Sequence, residues 1–260
     1  FHTMLTELHE VAAMRVEEES IKIDLRRIFA GRDVNVITDE ITSVDYEKKL
    51  VNCENNKFHY DYLVVATGSQ PTFFGVQGAE EYSFKLWSYD DAVVLREHIL
   101  NSFRQAVIET NEQKKRELLT FYIVGAGFTG VEMAGELAEL VPVLCKKFEI
   151  PTSYVTVVNA DVLDRVCTII PPKLSDKIEK RLRKMNVDVK LKTSITEIGE
   201  DYIEVDENGK KNKYSTHTVI WAAGIEGSNV VKSSQNLGLV GRGRVQCDEY
   251  LRSANNKDVY

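Results

Sequence analysis

The sequence predicts an α/β fold with a largely parallel sheet. Three observations predict it. Apolar, strand-like runs alternate with amphipathic, helix-like runs along most of the chain. A glycine-rich turn joins one such strand to one such helix in "FYIVGAGFTGVEMAGELAEL", residues 121–140. Two sets of short strands each lead into an apolar strand that ends in small residues, "YDYLVVATGS" and "HTVIWAAGIEG".

The elements follow in order. Residues 5–29 read as helical segments, with Leu5, Leu8, Val11 and Ala12 on one face. Short strands are expected at 34–38, 40–45, 49–53 and 57–60, separated by turn residues, as an antiparallel meander. The apolar run 63–66 reads as a strand closing in Thr67, Gly68 and Ser69. "QPTFFGVQGAEEY" is a loop. A long helix follows, with Ser88 as N-cap and Asp91 in the position of a capping-box partner. Residues 121–124 form a strand, 129–147 a helix and 155–158 a strand, and a further helix opens on Pro171 and Pro172. A second meander runs from 187 to 214, with an Asn-Gly hairpin turn at 207–210. The last apolar strand, 219–221, ends in Ala222, Ala223 and Gly224.

Composition narrows the function classes. A hydrophobic content of 43% supplies a core, and 28% charged residues suit an ordinary globular surface. The net charge of −7 argues against a nucleic-acid binder, which carries a basic excess. The run Lys180-Arg181-Leu182-Arg183-Lys184 reads as one solvated helix face. No apolar run approaches the roughly 18 residues that suggest a membrane span. Cys53, Cys145, Cys167 and Cys247 have neither C-x-x-C nor zinc spacing, so reduced thiols are expected, and the five histidines form no metal cluster. The chain begins at Phe1 without Met, which reads as the interior of a longer sequence.

The glycine turn carries the chemistry. Gly125, Gly127 and Gly130 satisfy G-x-G-x-x-G between an apolar strand and an amphipathic helix, the context that makes the pattern a dinucleotide site. Gly125 permits the tight turn, Gly127 lets a pyrophosphate approach the backbone, and Gly130 allows helix and strand to pack closely. The helix N-terminus, with Phe128 and Thr129 in its first turn, offers free N–H groups to the phosphates. A ribose-binding acid is expected at the end of the next strand, where Asn159 stands instead. Asn159 can bond a ribose hydroxyl, and Asp161 is a substitute. No Arg follows directly, so NADH is favoured over NADPH.

"VVATGS", "FFGVQGAEEYSFKLWSYDDAVVLREHI", "IVGAGFTGVEMAGELAEL" and "VIWAAGIEG", in this order, resemble the type II NADH dehydrogenases of the two-dinucleotide flavoprotein superfamily. The resemblance implies a Rossmann-like NAD(P)-binding domain inserted in a partial FAD-binding domain. The expected division is 1–115 for the FAD part, 116–235 for the NADH domain and 236–260 for the return. It implies NADH on Gly125, Gly127, Phe128, Thr129 and Gly130, with Ala223 and Gly224 as a second backbone contact. Glu132 is the implied catalytic carboxylate beside the nicotinamide, Glu136 has a packing or polar role, and Thr67, Gly68 and Ser69 lie by the FAD. The implied activity is hydride transfer from NADH to flavin, then electrons to a quinone. The implied location is cytoplasmic, peripheral on the inner face of the membrane through a C-terminal part, and a homodimer is compatible with it. Sulfide:quinone oxidoreductase, soluble NADH oxidase or disulfide reductase, and a non-catalytic NAD(H)-binding module remain the alternatives.

Overall fold

The structure is a computed structural model that describes residues 1–233 and 236–260. By contacts the chain divides into two compact units. One comprises 1–24 and 73–224, the other 25–72 and 225–260.

The elements of the first unit, in chain order, are α1 (Leu8–Ala12), β1 (Phe84–Lys85), α2 (Tyr89–Ile108), α3 (Glu112–Leu118), β2 (Thr120–Val124), α4 (Phe128–Phe148), β3 (Thr156–Ala160), α5 (Pro172–Lys184), β4 (Val187–Lys190), β5 (Thr193–Ile198), β6 (Tyr202–Glu207), β7 (Lys210–Ser215) and β8 (Thr218–Trp221). Five strands form a wholly parallel sheet in the order β4-β3-β2-β8-β1. β5, β6 and β7 form a separate antiparallel meander. The turn between β6 and β7 places Asn208 and Gly209 at φ 57° and 84°, as the Asn-Gly signal requires.

Each central strand is buried on both faces, which is why it reads as a continuous apolar run. Phe121, Ile123, Val157 and Ile220 join the helical side, packed with Val11, Leu95, Ile99, Phe103, Met133 and Leu137. The alternate residues Tyr122, Val124, Val158, Val219 and Trp221 pack with Ile198, Ile203 and Val205 of the meander. The result is three layers, and each fully buried side chain contributes roughly 1.5–3 kcal/mol.

Ser88 caps α2 as its spacing predicts. Its hydroxyl accepts from the Asp91 N–H at 3.1 Å, and the Asp91 carboxylate accepts from the Ser88 N–H at 2.8 Å. On the same helix, His98 stacks on Phe84 at 4.1 Å and its Nε2 lies 2.8 Å from the hydroxyl of fully buried Thr218. Loss of hydration pushes the His98 pKa down from 6.5 to about 4. Because the folded value is the lower one, the unfolded chain binds more protons between these two pH values. The stability due to neutral His98 is therefore complete above 6.5 and is lost as pH falls through 4. We expect a loss of roughly 3 kcal/mol over that interval, read by urea unfolding, and His98→Gln should flatten the slope there.

Several sequence expectations are corrected. Residues 5–29 are short helical segments, as expected, but a strand interrupts them. They form the 3-10 turn Leu5–Glu7, α1, a second 3-10 turn Glu18–Ile21, the two-residue strand Lys22–Ile23 paired with His2–Thr3, and the single turn Leu25–Ile28. Met14, at φ 59°, ends the first stretch. Residues 34–38 are not a strand: among the described residues no neighbour pairs with them, and Val34 and Ile37 are exposed. The run 63–66 does lie extended along 258–260 in parallel, with the Leu63 N–H donating to the Asp258 carbonyl, the Tyr260 N–H to the Leu63 carbonyl and the Val65 N–H to the Tyr260 carbonyl, but it is an edge with Val64 71% exposed rather than a buried strand. The compact units divide at 24/25, 72/73 and 224/225, because α2 packs on α1 and α4 and so draws 1–24 and 73–115 into the unit of the glycine turn.

The second unit is small. It holds the antiparallel meander Ile41–Asp45, Leu50–Cys53 and Lys57–His59, and the strand Ser69–Pro71 paired with Ile225–Gly227. Its core centres on Tyr46, Leu237 and Val259.

Candidate dinucleotide site

The glycine turn lies between β2 and α4 and is pinned on three sides. The Gly125 N–H donates to the Ala160 carbonyl at 2.7 Å. The Ala126 N–H donates to Asp161 Oδ2 at 2.6 Å, and the Ala126 carbonyl accepts from the Cys167 N–H at 2.7 Å.

The three glycines have different reasons to be glycine. Gly125 has φ 101°, and a Cβ there would stand 2.9 Å from the Ala222 carbonyl oxygen. A Cβ on Gly130 would stand 1.8 Å from the Gly125 carbonyl oxygen, so helix and turn meet without room for a methyl. Gly127 has an ordinary φ of −71°, and a Cβ there would meet nothing within 4 Å. The protein itself imposes no need for glycine at 127. The backbone at 127 is thus open to approach from outside.

The open side of the turn is suited to an anion. Gly127, Phe128 and Thr129 are exposed, whereas Gly125 and Gly130 are buried. α4 begins with no side-chain cap and no acidic residue in its first turn. Its leading N–H groups have no intrahelical acceptor, and the helix dipole adds a partial positive charge. That arrangement suits a pyrophosphate.

Asn159 stands at the end of β3 as the sequence expects, but its side chain is turned inward. It is fully buried beneath the turn. Its Nδ2 donates to the Gly125 carbonyl at 2.9 Å and points at the Ile123 carbonyl at 3.4 Å. A carboxylate there would set its oxygens against two carbonyl oxygens, so the position calls for a donor and the acid is absent. Asn159 Oδ1 is buried without a partner. The role of Asn159 on this geometry is to hold the turn from below, and the expected ribose contact is corrected.

Glu132 lies one turn into α4 with its side chain 49% exposed, 3.8 Å from His9 Nδ1. Glu136 and Glu139, further along, both bind Arg15, at 2.5 and 2.6 Å. Hydrogen bonds to these two carboxylates raise the Arg15 pKa further above its usual value. Arg15 therefore ties down two acids of the row and leaves Glu132 with a long contact only. Sequence reasoning gives Glu136 a polar role but misses Arg15 and His9. Both lie in a segment remote in sequence, and no local pattern marks them.

At the end of β8, the Ala222 N–H donates to the Val124 carbonyl, and Gly224 has φ 72°. Ala223 lines a pocket of about 250 Å3 together with Gly125, Asp161, Val162, Ile195 and Trp221. Thr67 and Gly68 belong to the second unit, not to this cluster. Thr67 Oγ1 lies 2.7 Å from Ser228 Oγ, and Gly68, Gly227 and Val245 border a separate pocket of about 220 Å3.

All four cysteines are free thiols. Burial pushes the Cys167 thiol up, and Glu132 and Asp161 push it the same way, so it stays protonated and is a poor nucleophile. Among the described residues no group of His, Cys, Asp or Glu could hold a metal ion, and no helix is long and apolar enough to cross a membrane.

A parallel sheet with a glycine turn at the C-terminal end of a strand, leading into an uncapped helix, defines a dinucleotide-binding protein. Residues 4–260 match the family model of the pyridine nucleotide-disulphide oxidoreductases, and the chain belongs to that family. It is 29% identical over 260 residues to a type II NADH:quinone oxidoreductase of Staphylococcus saprophyticus, covering all of this chain and 64% of that protein. It is 29% identical over 234 residues to the enzyme of the same name from Staphylococcus aureus, covering 90% of this chain and 58% of that one. This chain thus spans less than two thirds of the length of these relatives. Among solved structures, NDH2 of Plasmodium falciparum in complex with NADH superposes with a TM-score of 0.90 at 21% identity, over 99% of this chain and 56% of that one. The sulfide:quinone oxidoreductase of Aquifex aeolicus gives 0.81 at 17%, over 99% and 58%. At these identities the superpositions establish the shared fold.

Proposed function

We propose that this chain is the NADH-binding part of an FAD-dependent NADH dehydrogenase that delivers electrons to a quinone. The observation that carries the reading is Gly127, a glycine that nothing in the protein requires, at the open N-terminus of α4. The names of the staphylococcal relatives, and the NADH in the Plasmodium structure, support NADH as donor and a quinone as acceptor. A quinone acceptor would place the working protein at a membrane surface.

FAD is implied by the family. Gly68, exposed at φ 67° with nothing within 4 Å of a Cβ position, fits close approach of such a group, and Thr67, Gly68 and Ser69 are the residues that would meet it. When bound, FAD supplies a two-electron acceptor for the hydride of NADH. The chain's own residues do the rest. The backbone of 127–130 binds the pyrophosphate, and Ala223 and Gly224 present main chain to the nicotinamide half. Glu132 orients the carboxamide, accepting from its NH2 group.

The test is NADH oxidation by the complete holoenzyme with a quinone analogue, against oxygen, sulfide and disulfides as acceptors. The quinone should sustain the fastest turnover; preference for sulfide or a disulfide would move the protein to a rival class. In stopped flow, Glu132→Gln should slow flavin reduction about tenfold or more with a smaller change in NADH affinity. Equal rates would remove Glu132 from the reaction.

A further inference from the structure

We propose that His9 is a positioning residue for Glu132: its ring donates from Nδ1 to one carboxylate oxygen and leaves the other to take the amide NH2 of the nicotinamide. The inference deepens the reading above and rests on the role given there to Glu132. Glu132, Glu136 and Glu139 stand in a row on α4, at a spacing that puts them on one helix face. Arg15 commits its guanidinium to Glu136 at 2.5 Å and Glu139 at 2.6 Å. Among the described residues, His9 is then the one basic group within 4 Å of the Glu132 carboxylate.

Glu132 alone is a loose tool. Its side chain is 49% exposed and turns about several bonds. A carboxylate that must meet an amide at one place needs a second anchor. His9 is placed to be one. It lies on α1 beside buried Leu8, and its side chain is only 13% exposed. Its carbonyl accepts from the Ala13 N–H at 2.9 Å. Leu8, Val11 and Ala12 share a core with Met133 and Leu137 of α4, and Arg15 ties the same segment to α4 a second time. The ring is therefore carried at a fixed place beside Glu132.

His9 Nδ1 lies 3.8 Å from Glu132 Oε2, beyond hydrogen-bond length. A small rotation of the exposed Glu132 side chain closes that gap, as contacts in open sites tighten once substrate is in place. The bond occupies Oε2 and leaves Oε1 as acceptor for the amide. The neighbouring thiol of Cys167 is no substitute. Burial and the charges of Glu132 and Asp161 raise its pKa, so it stays a neutral group.

The complete holoenzyme tests this in two ways. In the first, the oxidised protein is titrated by calorimetry with NAD+ and with its 3-acetylpyridine analogue, in which a methyl group replaces the amide NH2. The parent should prefer NAD+ at least about fivefold, as a hydrogen bond to a charged group implies. His9→Leu should lower that preference about threefold or more, whereas a merely structural role would weaken both ligands alike. In the second, stopped flow with NADH should show the limiting rate of flavin reduction falling about fivefold in His9→Leu, while half-saturating NADH changes less than about twofold. His9→Asn, whose amide NH2 takes the place of Nδ1, should regain most of both. In the Glu132→Gln background, His9→Leu should have little further effect. Should the leucine variant lose its flavin, His9→Phe keeps the ring and gives the same readings.

Unchanged preference and rate in the donor-free variants, with Glu132→Gln slowed, overturn the proposal and leave Glu132 in its role. An equal loss with and without the Glu132 carboxylate also overturns it, because His9 then acts elsewhere. A Glu132→Gln enzyme with parental rate and parental preference overturns the proposal and the role of Glu132 together.

Discussion

Gly130→Ala is expected to destabilise the protein by about 2–3 kcal/mol and to abolish NADH binding, although alanine is the best helix former. The new methyl would stand 1.8 Å from the Gly125 carbonyl oxygen. That atom is backbone and cannot rotate aside. Gly125 is itself held by its bond to Ala160, by the Asn159 amide and by its own φ of 101°. To relieve the clash the turn must lift off α4, which displaces the N–H groups that meet the pyrophosphate. The gain in helix propensity, about 1 kcal/mol, opposes this and is the smaller term. Gly135 is the internal control. It lies on the same helix with nothing within 4 Å of a Cβ position, so Gly135→Ala should stabilise by about 0.5–1 kcal/mol. Urea unfolding of the two variants separates the effects. Equal stability of Gly130→Ala and the parent would mean that the close contact between turn and helix is not real.

The order of strands and helices is legible in the sequence because the first unit is built from strong local signals. Strands buried on both faces give unbroken apolar runs, as at Phe121, Tyr122, Ile123 and Val124. Ser88 with Asp91, and Asn208 with Gly209, fix a helix start and a hairpin by chemistry contained in a few residues. Where pairing depends on distant chain, the same rules fail. Residues 34–38 and 63–66 have strand composition, yet the first run pairs with nothing described and the second pairs only along one edge, with 258–260. The boundaries of the units were illegible for the same reason, since the assignment of 1–24 depends on contacts between α1 and α2 or α4.

Within the site, the glycines were readable because a turn, a clash and a ligand each exclude side chains locally. Asn159 was readable as an anomaly but not as an answer. Only the pointing direction of its amide, towards the Gly125 and Ile123 carbonyls, explains why no acid stands there. Arg15 and His9 carry no motif, and their relation to Glu136, Glu139 and Glu132 exists only once the chain is folded.

Gly127→Val should separate binding from folding. At φ −71° the backbone is one that any residue adopts and the space where a Cβ would stand is open, so the stability change should be no more than about 1 kcal/mol, the cost of placing valine at a helix N-cap. NADH affinity should fall by about a hundredfold or more, because the isopropyl group occupies the volume through which phosphate oxygens reach the N–H groups of the first helical turn. The contrast with Gly130→Ala is the informative part. Both variants should fail to bind, but one through a damaged turn and the other through an intact turn that is blocked. Calorimetry with NADH, alongside the unfolding midpoint of each variant, distinguishes the two. If Gly127→Val keeps parental affinity, the glycine is a bystander, and the open helix end serves some ligand that does not approach the backbone there. If it loses both stability and affinity, residue 127 supports the fold in a way its empty surroundings do not indicate. Only the loss of binding with folding unchanged matches a glycine kept for a phosphate.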